Sequence, residues 1–273
     1  MISIHRARSA LAAGLVGALA ATTLAAAVAA PAVADVGGPT DDGLVAWYPL
    51  DAASTTGGTT ANRAEGSTFG PATVVGGTTT ADGTTLDGTD DYVDLPDHLL
   101  AGLTDATVSL DVLVSQDQGT PYFVYGLGNT SGSNGNGYLF TTGNAYRTSI
   151  ATGSWTTEQT VTKGANLQRG VWKTLTYTLT GTTATLYEDG VQVKQATNVT
   201  TDPGQIGGGQ TTANYVGRSL YSGDRYLKGQ VRDFRLYDRA LSPAEAAELA
   251  ARTSTAAADA DLAALDLGDT SAV

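Results

Sequence analysis

Short stretches of apolar or alternating residues, separated by Gly, Thr, Asn and Asp, constrain the fold of this 273-residue chain more than any other feature. Strands of this length with frequent turn signals are typical of antiparallel sandwiches and barrels. The sequence therefore predicts an all-β fold, either a sandwich or a barrel of antiparallel sheets. The predicted strands lie at 44–50, 84–86, 92–95, 107–114, 122–127, 137–140, 147–151, 172–179, 183–188, 191–195, 213–217 and 229–237.

Two local motifs predict the structure around them. Asp189-Gly190 separates two alternating runs and predicts a two-residue hairpin turn, because both residues tolerate the positive φ of a type I′ turn. Ser242-Pro243 followed by Glu245 combines an N-cap, a first-turn proline and a capping-box glutamate, which predicts a short C-terminal helix.

The first 34 residues have the features of a secretory signal peptide. Arg6 and Arg8 precede an apolar run, and Ala32-Val33-Ala34 offers the small-x-small pattern that signal peptidases cut. We expect cleavage after Ala34 and a secreted, extracellular product that is not in a membrane. A retained membrane anchor is the alternative interpretation of the same run.

Charge and cysteine content limit the partners. Without Arg6 and Arg8, 13 basic and 27 acidic side chains leave a formal charge of −14, so we expect no nucleic-acid partner. The chain has no cysteine, which excludes thiol catalysis and cysteine-ligated zinc. An exported domain without disulfides needs a sizeable core, with or without a metal.

The chain divides into four parts by composition. Residues 1–34 are the predicted signal, and residues 35–42 form a Gly/Asp/Pro leader. Residues 43–252 carry all the predicted strands and the helix. Residues 253–273 are an acidic, Ala-rich segment, interpreted either as a linker to a further domain or as a flexible tail.

Five segments in this order resemble the laminin G-like and concanavalin A-like jelly rolls, and together they cover about residues 43–252. They are Gly43–Asp51 (GLVAWYPLD), Leu86–Pro96 (LDGTDDYVDLP), Trp172–Leu179 (WKTLTYTL), Leu186–Val193 (LYEDGVQV) and Val231–Ser242 (VRDFRLYDRALS). The resemblance implies a jelly-roll sandwich with about six or seven strands in each sheet. It also implies extracellular binding of polysaccharide or oligosaccharide. Modules of this kind often accompany a glycoside hydrolase, and this one most resembles those found ahead of arabinan- or arabinoside-degrading catalytic domains.

Catalysis by the chain itself is not expected. Retaining glucanases of this fold carry E-x-D-x-x-E on one strand, which sets two carboxylates at the separation that double displacement needs. None of the five glutamates stands in that arrangement. His98 is the only histidine after the predicted signal, and no G-x-S-x-G elbow accompanies it. We interpret His98 as an ordinary loop residue.

A structural calcium ion is a further prediction of the resemblance. Concanavalin A-like domains often hold Ca²⁺ between carboxylates where the first and last strands meet, and oxygen ligands suit this ion. The corresponding residues here are Asp51 and Asp233. In the alternative interpretation, Asp51 caps a turn and Asp233 pairs with Arg232 or Arg235.

The candidate sugar-binding residues lie in one segment after a Gly-rich stretch. Sugars need flat aromatic faces beside oriented hydrogen-bonding groups. Residues 128–137 (GNTSGSNGNG) predict a loop, and residues 221–226 (YSGDRY) are a second candidate segment. Trp47 and Trp172 fall within strand patterns and are predicted to lie in the core, and the same role is open to Tyr138 and Tyr146. The candidate binding residues are Tyr138, Asn144, Tyr146, Arg147 and Trp155.

Three functions remain open from the sequence. The leading hypothesis is a secreted, non-catalytic carbohydrate-binding module that is accessory to a polysaccharide-degrading enzyme. A protein-interaction domain is the second, and exposed aromatic side chains in a groove rather than a broad apolar patch would argue against it. The third is a structural spacer without a ligand.

Overall fold

The computed structural model describes residues 41–252, which form seventeen strands and one helix, α1 (243–252). The fold is all-β apart from α1 and short 3₁₀ turns. The strands are β1 Leu44–Tyr48, β2 Thr55–Thr56, β3 Thr59–Thr60, β4 Ala72–Val75, β5 Thr78–Thr80, β6 Gly83–Asp87, β7 Tyr92–Asp94, β8 Ala106–Val114, β9 Phe123–Ser131, β10 Asn134–Thr142, β11 Arg147–Ala151, β12 Gln159–Thr162, β13 Trp172–Thr180, β14 Thr183–Glu188, β15 Val191–Ala196, β16 Ala213–Val216 and β17 Lys228–Tyr237.

The strands form two antiparallel sheets that pack as a jelly-roll sandwich. Sheet A has the order β15-β14-β13-β8-β17-β6-β5, and β1 pairs with the second half of β17. Sheet B has the order β12-β11-β10-β9-β16-β7-β4-β3-β2. The sheets contain eight and nine strands, so each is larger than the six or seven expected.

The core lies between the sheets and is built by alternation along the strands. Val108, Leu110 and Val112 of β8 face Leu127 and Leu139 of β9 and β10 within one apolar cluster. Side chains at alternate positions of a strand point to opposite faces, so the intervening residues form the outer faces of the two sheets. This core is large enough to stabilise a domain that has no disulfide.

Helix α1 covers part of the outer face of sheet A. Its Leu249 packs with Tyr237 of β17 and with Leu44 of β1. The predicted capping box is confirmed, because Ser242 N donates to Glu245 Oε2 at 2.7 Å and Glu245 N donates to Ser242 Oγ at 3.3 Å. Within residues 41–252 no helix has the length and apolar character needed to cross a membrane.

The first and last strands hold the two ends of the sandwich together. Leu44 pairs with Tyr237, and Asp238 N donates to Gly43 O at 2.9 Å. Arg239 adds a second link, since its Nε donates to the carbonyl of Asp42 at 2.8 Å. The chain therefore enters and leaves the sandwich at the same place.

Two local predictions were wrong. Residues 128–137 do not form a loop, because β9 runs to Ser131 and β10 starts at Asn134, with Asn134 opposite Ser131. Their glycines suit a strand over which other side chains pack. Trp47 and Trp172 are half-buried rather than in the core. Each packs under a guanidinium on sheet A, Arg235 over Trp47 and Arg232 over Trp172, both at 4.1 Å.

Candidate functional site

The outer face of sheet B carries a second aromatic cluster, separate from the core. The paired strands place Phe140 opposite Gly126 and Tyr138 opposite Gly128. Tyr138 and Phe140 have ring centroids 5.2 Å apart. The apolar side chains clustered there are Phe123, Tyr138, Phe140, Ala151, Ala213 and Leu220, with Tyr215 and Tyr221 packed against them.

The segment between β16 and β17, residues 217–227, lies over this face. Leu220 is buried against Gly126, where a Cβ atom would come within 2.5 Å of Leu220 Cδ1. Gly135 similarly leaves room for the rings of Tyr138 and Tyr221, at 2.8 Å from the position of its missing Cβ. Glycine at these strand positions allows the close approach of the covering segment.

A polar network extends across the face from Tyr138. The Tyr138 hydroxyl donates to Glu158 Oε1 at 2.9 Å and lies 3.1 Å from the Tyr221 hydroxyl. Burial and these two hydrogen bonds raise the pKa of Tyr138, so it stays a neutral donor. Arg147 Nη1 donates to Glu158 Oε2 at 2.8 Å and to Ser149 Oγ at 3.2 Å. The network thus holds one carboxylate and one guanidinium at the surface in fixed positions.

Trp155 lies beside this network and is mostly exposed to solvent. It starts a short 3₁₀ turn, Trp155–Thr157, and the residue is 68% exposed. Its backbone N–H donates to the Tyr221 hydroxyl at 3.2 Å, which anchors the turn to the face. The exposed indole on this turn offers a flat apolar surface of the kind that sugar stacking requires.

A second group of aromatic side chains lies on the same face around Arg218. The Arg218 guanidinium carbon is 4.5 Å from the ring centroid of Tyr215 and 4.7 Å from that of Tyr92. The Tyr226 ring is 5.8 Å away. Tyr92 and Tyr215 meet edge to face, with centroids 5.4 Å apart. Asp94 is directly opposite Tyr215 in the sheet, so its side chain points to this face.

The structure brings three of the five predicted sugar-binding residues together. Tyr138, Arg147 and Trp155 are linked through Glu158 and Tyr221. Tyr221 belongs to the second segment singled out in the sequence. No sequence signal pointed to Glu158, because its partners depend on the pairing of β10, β11 and β12.

The other two predicted residues are placed elsewhere. Tyr146 lies in the core with 1% of its surface exposed, and its hydroxyl donates to Tyr187 O at 2.6 Å. Asn144 is half-buried in the turn between β10 and β11, where its Oδ1 accepts a hydrogen bond from Tyr122 N at 3.3 Å. Neither side chain is part of the network around Glu158.

The two predicted calcium ligands make the contacts of the alternative interpretation. Asp51 Oδ1 accepts a hydrogen bond from Ser54 N at 2.8 Å and so caps a turn. Asp233 Oδ1 accepts from Trp47 Nε1 at 2.6 Å, and Arg235 Nε lies 3.1 Å away. A cation at Asp233 would compete with this guanidinium, so the donor set at Asp233 does not fit Ca²⁺. Calcium binding itself stays a prediction.

One group of acidic side chains among residues 41–252 is close enough to share a cation. Carboxylate oxygens of Asp87, Asp90 and Asp91 all lie within 4.8 Å of one another in the turn before β7. Asp87 N also donates to Asp91 Oδ2 at 3.0 Å, which explains the proximity without an ion.

Comparison with known proteins agrees with this architecture. Residues 87–247 match a laminin G-type family model described as "Concanavalin A-like lectin/glucanases superfamily". No curated protein matches the chain.

Several similar solved structures come from an arabinanase and from sialidases. One is domain 4 of AbnA, a GH43 extracellular arabinanase from Geobacillus stearothermophilus, in complex with arabinotriose (22% identity, 76% of this chain, 98% of that domain, TM-score 0.57). Another is Trypanosoma rangeli sialidase (15% identity, 77% of this chain, 32% of the sialidase, TM-score 0.56). A third is the CBM40 of Ruminococcus gnavus IT-sialidase, bound to α2,3-sialyllactose (11% identity, 65% of this chain, 97% of that domain, TM-score 0.50). At these identities the similarity shows the fold.

Proposed function

The chain belongs to the concanavalin A-like lectin/glucanases superfamily, and on that premise we propose that its sandwich is a non-catalytic domain that binds carbohydrate on the outer face of sheet B. The observation that carries the proposal is the position of Trp155. This residue is 68% exposed, and its backbone N–H bonds to Tyr221, which joins it to the network of Tyr138, Glu158 and Arg147. An exposed indole supplies the flat apolar face on which a sugar ring can stack.

The state of the glutamates supports a binding rather than a catalytic role. Four of the five are held in ion pairs: Glu158 with Arg147, Glu188 with Lys163 and Lys173, Glu245 with Arg239, and Glu248 with Arg252. A glycosidase needs one carboxyl group free to protonate the leaving group and a second free to attack or to activate water. Glu65 is the one glutamate of residues 41–252 outside these ion pairs, so the glutamates do not supply two unpaired carboxyl groups.

The similar structures narrow the expected ligand class. One of them contains arabinotriose and another contains sialyllactose, so oligosaccharides bind to domains of this fold. We propose an arabinan- or arabinoside-type polysaccharide as the ligand.

We also propose that the chain is exported through the signal peptide at residues 1–34, which lies outside the described residues together with the 253–273 segment. In a longer protein, this domain would raise the concentration of an attached catalytic domain near its substrate. A weak affinity of this domain for the polysaccharide would be enough for that role.

A binding screen tests the proposed function. Residues 35–252 would be titrated calorimetrically with arabinan, arabinoxylan, galactan, xylan and β-glucan. We expect saturable binding to one of them and a loss of at least about tenfold in affinity for Trp155→Ala, which corresponds to one lost stacking contact of about 1.4 kcal/mol.

A matched variant separates loss of the site from loss of the fold. Val191 on β15 is also largely exposed, at 66%, and lies on sheet A. Val191→Ala should leave both binding and melting temperature unchanged, and Trp155→Ala should leave the melting temperature unchanged. If no glycan binds to the wild-type domain, the proposal is wrong and a protein-interaction or spacer role is favoured.

A further inference from the structure

Aromatic rings hold Arg218 in place, and no residue within 41–252 is a polar partner of its side chain. Its guanidinium packs on the rings of Tyr215 and Tyr92, and Tyr226 is a third neighbour. Among residues 41–252 no acceptor takes a hydrogen bond from its side chain, and no carboxylate lies within 4.0 Å. The five N–H donors of a guanidinium rarely stay without acceptors once the group is partly buried.

Asp94 presents the complementary group on the same patch. It pairs with Tyr215 across β7 and β16, and its carboxylate accepts no hydrogen bond from a described residue. Loss of hydration and the charge of Asp97 raise the pKa of Asp94, while the charge of Arg218 lowers it. The two side chains are therefore near enough to interact electrostatically, yet they do not form an ion pair.

A separated donor and acceptor beside aromatic rings match the chemistry of a sugar. Each sugar hydroxyl can accept a hydrogen bond from a guanidinium and donate one to a carboxylate. Hydrogen bonds to charged groups are about twice as strong as those between neutral groups. The rings of Tyr92 and Tyr215 fix the position of Arg218, so little side-chain entropy is lost on binding.

We propose that Arg218 and Asp94, framed by Tyr92, Tyr215 and Tyr226, form a second sugar-binding subsite that takes adjacent hydroxyl groups of a neutral sugar residue. This inference rests on the proposed function and extends it to a second contact on the same face. Tyr138 lies on β10 and Asp94 lies on β7, three strands away in sheet B. At the usual distance between strands, this separation is roughly 14 Å. The two subsites are therefore distinct.

The charges around the patch favour a neutral sugar over an acidic one. Asp94 and Asp97 are both exposed on the segment that follows Tyr92. A carboxylate ligand on Arg218 would be repelled by both of them, whereas a hydroxyl pair uses the guanidinium and the carboxylate together. The net negative charge of the chain also repels acidic sugars.

Three variants test the subsite against the glycan that binds best in the screen described above. Arg218→Met keeps the aliphatic stem and removes the donors, and Asp94→Asn keeps the shape and removes the charge. Lys194→Met is the matched control, because Lys194 is exposed on β15 of sheet A. We expect affinity to fall at least about tenfold for Arg218→Met and several-fold for Asp94→Asn, with no change for Lys194→Met.

The outcomes separate this inference from the proposed function. If Trp155→Ala abolishes binding while Arg218→Met and Asp94→Asn bind like the wild type, the second subsite is wrong and the proposed function stands. If polygalacturonate binds more tightly than every neutral glycan, and Arg218→Met removes that binding, the assignment to a neutral sugar is wrong. Absence of any glycan binding to the wild type overturns both. Melting curves, with Arg218→Lys as a second variant, separate these losses from misfolding.

Discussion

Tyr146 has its aromatic ring in the core and its hydroxyl bonded to a backbone carbonyl. That hydroxyl donates to Tyr187 O at 2.6 Å, and burial holds the pKa of Tyr146 well above its ordinary value. The residue thus links the end of sheet B to sheet A. Tyr146 does not reach the outer face although Arg147 follows it directly, because the two side chains point in different directions.

Tyr146→Phe should therefore lower stability and leave binding intact. Removing the hydroxyl leaves the Tyr187 carbonyl without its donor, and we expect unfolding free energy to fall by about 1–2 kcal/mol. Urea denaturation measures the change, and titration with the bound glycan should give the wild-type affinity. Weaker glycan binding by this variant would contradict the placement of Tyr146 in the core.

Asp111 makes stability depend on pH. Burial and the charge of Asp233 raise the pKa of Asp111 to about 6, although Thr174 and Arg232 donate hydrogen bonds to it. The unfolded chain has a value near 4, so the folded protein binds more protons between the two values. Stability should fall as pH rises from about 4 to 6, by up to ~3 kcal/mol from this group.

A comparison of the wild type with Asp111→Asn isolates the contribution of Asp111 to the pH dependence of stability. Asp111→Asn does not titrate, so the unfolding free energy of the wild type minus that of the variant should decrease across this pH range. The difference should then level off above pH 6. Parallel stability curves for the two proteins would contradict the raised pKa.

At the scale of strands, the sequence predicted the elements that carry the core and missed those at the edges. The predicted strands 147–151 and 183–188 match β11 and β14 in their bounds, and the hairpin at Asp189-Gly190 is confirmed by positive φ values of 52° and 75°. The missed strands have two to four residues each and most of them are rich in threonine, so their periodicity is weak. They are β2, β3, β4, β5 and β12.

The sequence also predicted only part of the candidate site, for a different reason. Tyr138, Arg147 and Trp155 were found because one stretch of chain runs across neighbouring strands and the turn that follows. Arg218 and Asp94 are more than a hundred residues apart in the sequence and meet only through the pairing of β7 with β16. Pairing of distant strands leaves no local pattern in the residues.

Gly190 in the β14–β15 turn is required for two reasons, and its replacement tests both. Its φ is 75°, and a Cβ atom would lie 2.6 Å from the Cα of Ala247 in α1. Gly190→Ala should lower stability by about 2–4 kcal/mol, since backbone strain and a clash add. Gly181 in the β13–β14 turn also has a positive φ, 52°, but nothing lies within 4 Å of the corresponding position.

Gly181→Ala is therefore the matched control for Gly190→Ala. It carries only the backbone strain, and we expect a loss of about 1 kcal/mol. Thermal or chemical denaturation of both variants gives the comparison. Equal losses would mean that the contact between the hairpin and α1 contributes nothing.

For the whole domain, the calcium prediction can be tested apart from its two proposed ligands. The prediction requires that EDTA lower the melting temperature and that Ca²⁺ restore it. Asp233→Asn should lose about 1–3 kcal/mol of stability whether or not Ca²⁺ is present, because the carboxylate pairs with Arg235. An unchanged melting temperature in EDTA would contradict calcium binding, and loss of the EDTA response in Asp233→Asn would restore Asp233 as a ligand.

The joined ends of the sandwich determine how the domain carries mechanical load. Because β1 and β17 run antiparallel and Gly43 meets Asp238 at their shared end, a pull on these two points opens the strand pair one hydrogen bond at a time. Unzipping of this kind requires far less force than sliding two strands past each other. The first hydrogen bonds to break would be those between β1 and β17 in sheet A, whereas Trp155 and Arg218 lie on the outer face of sheet B.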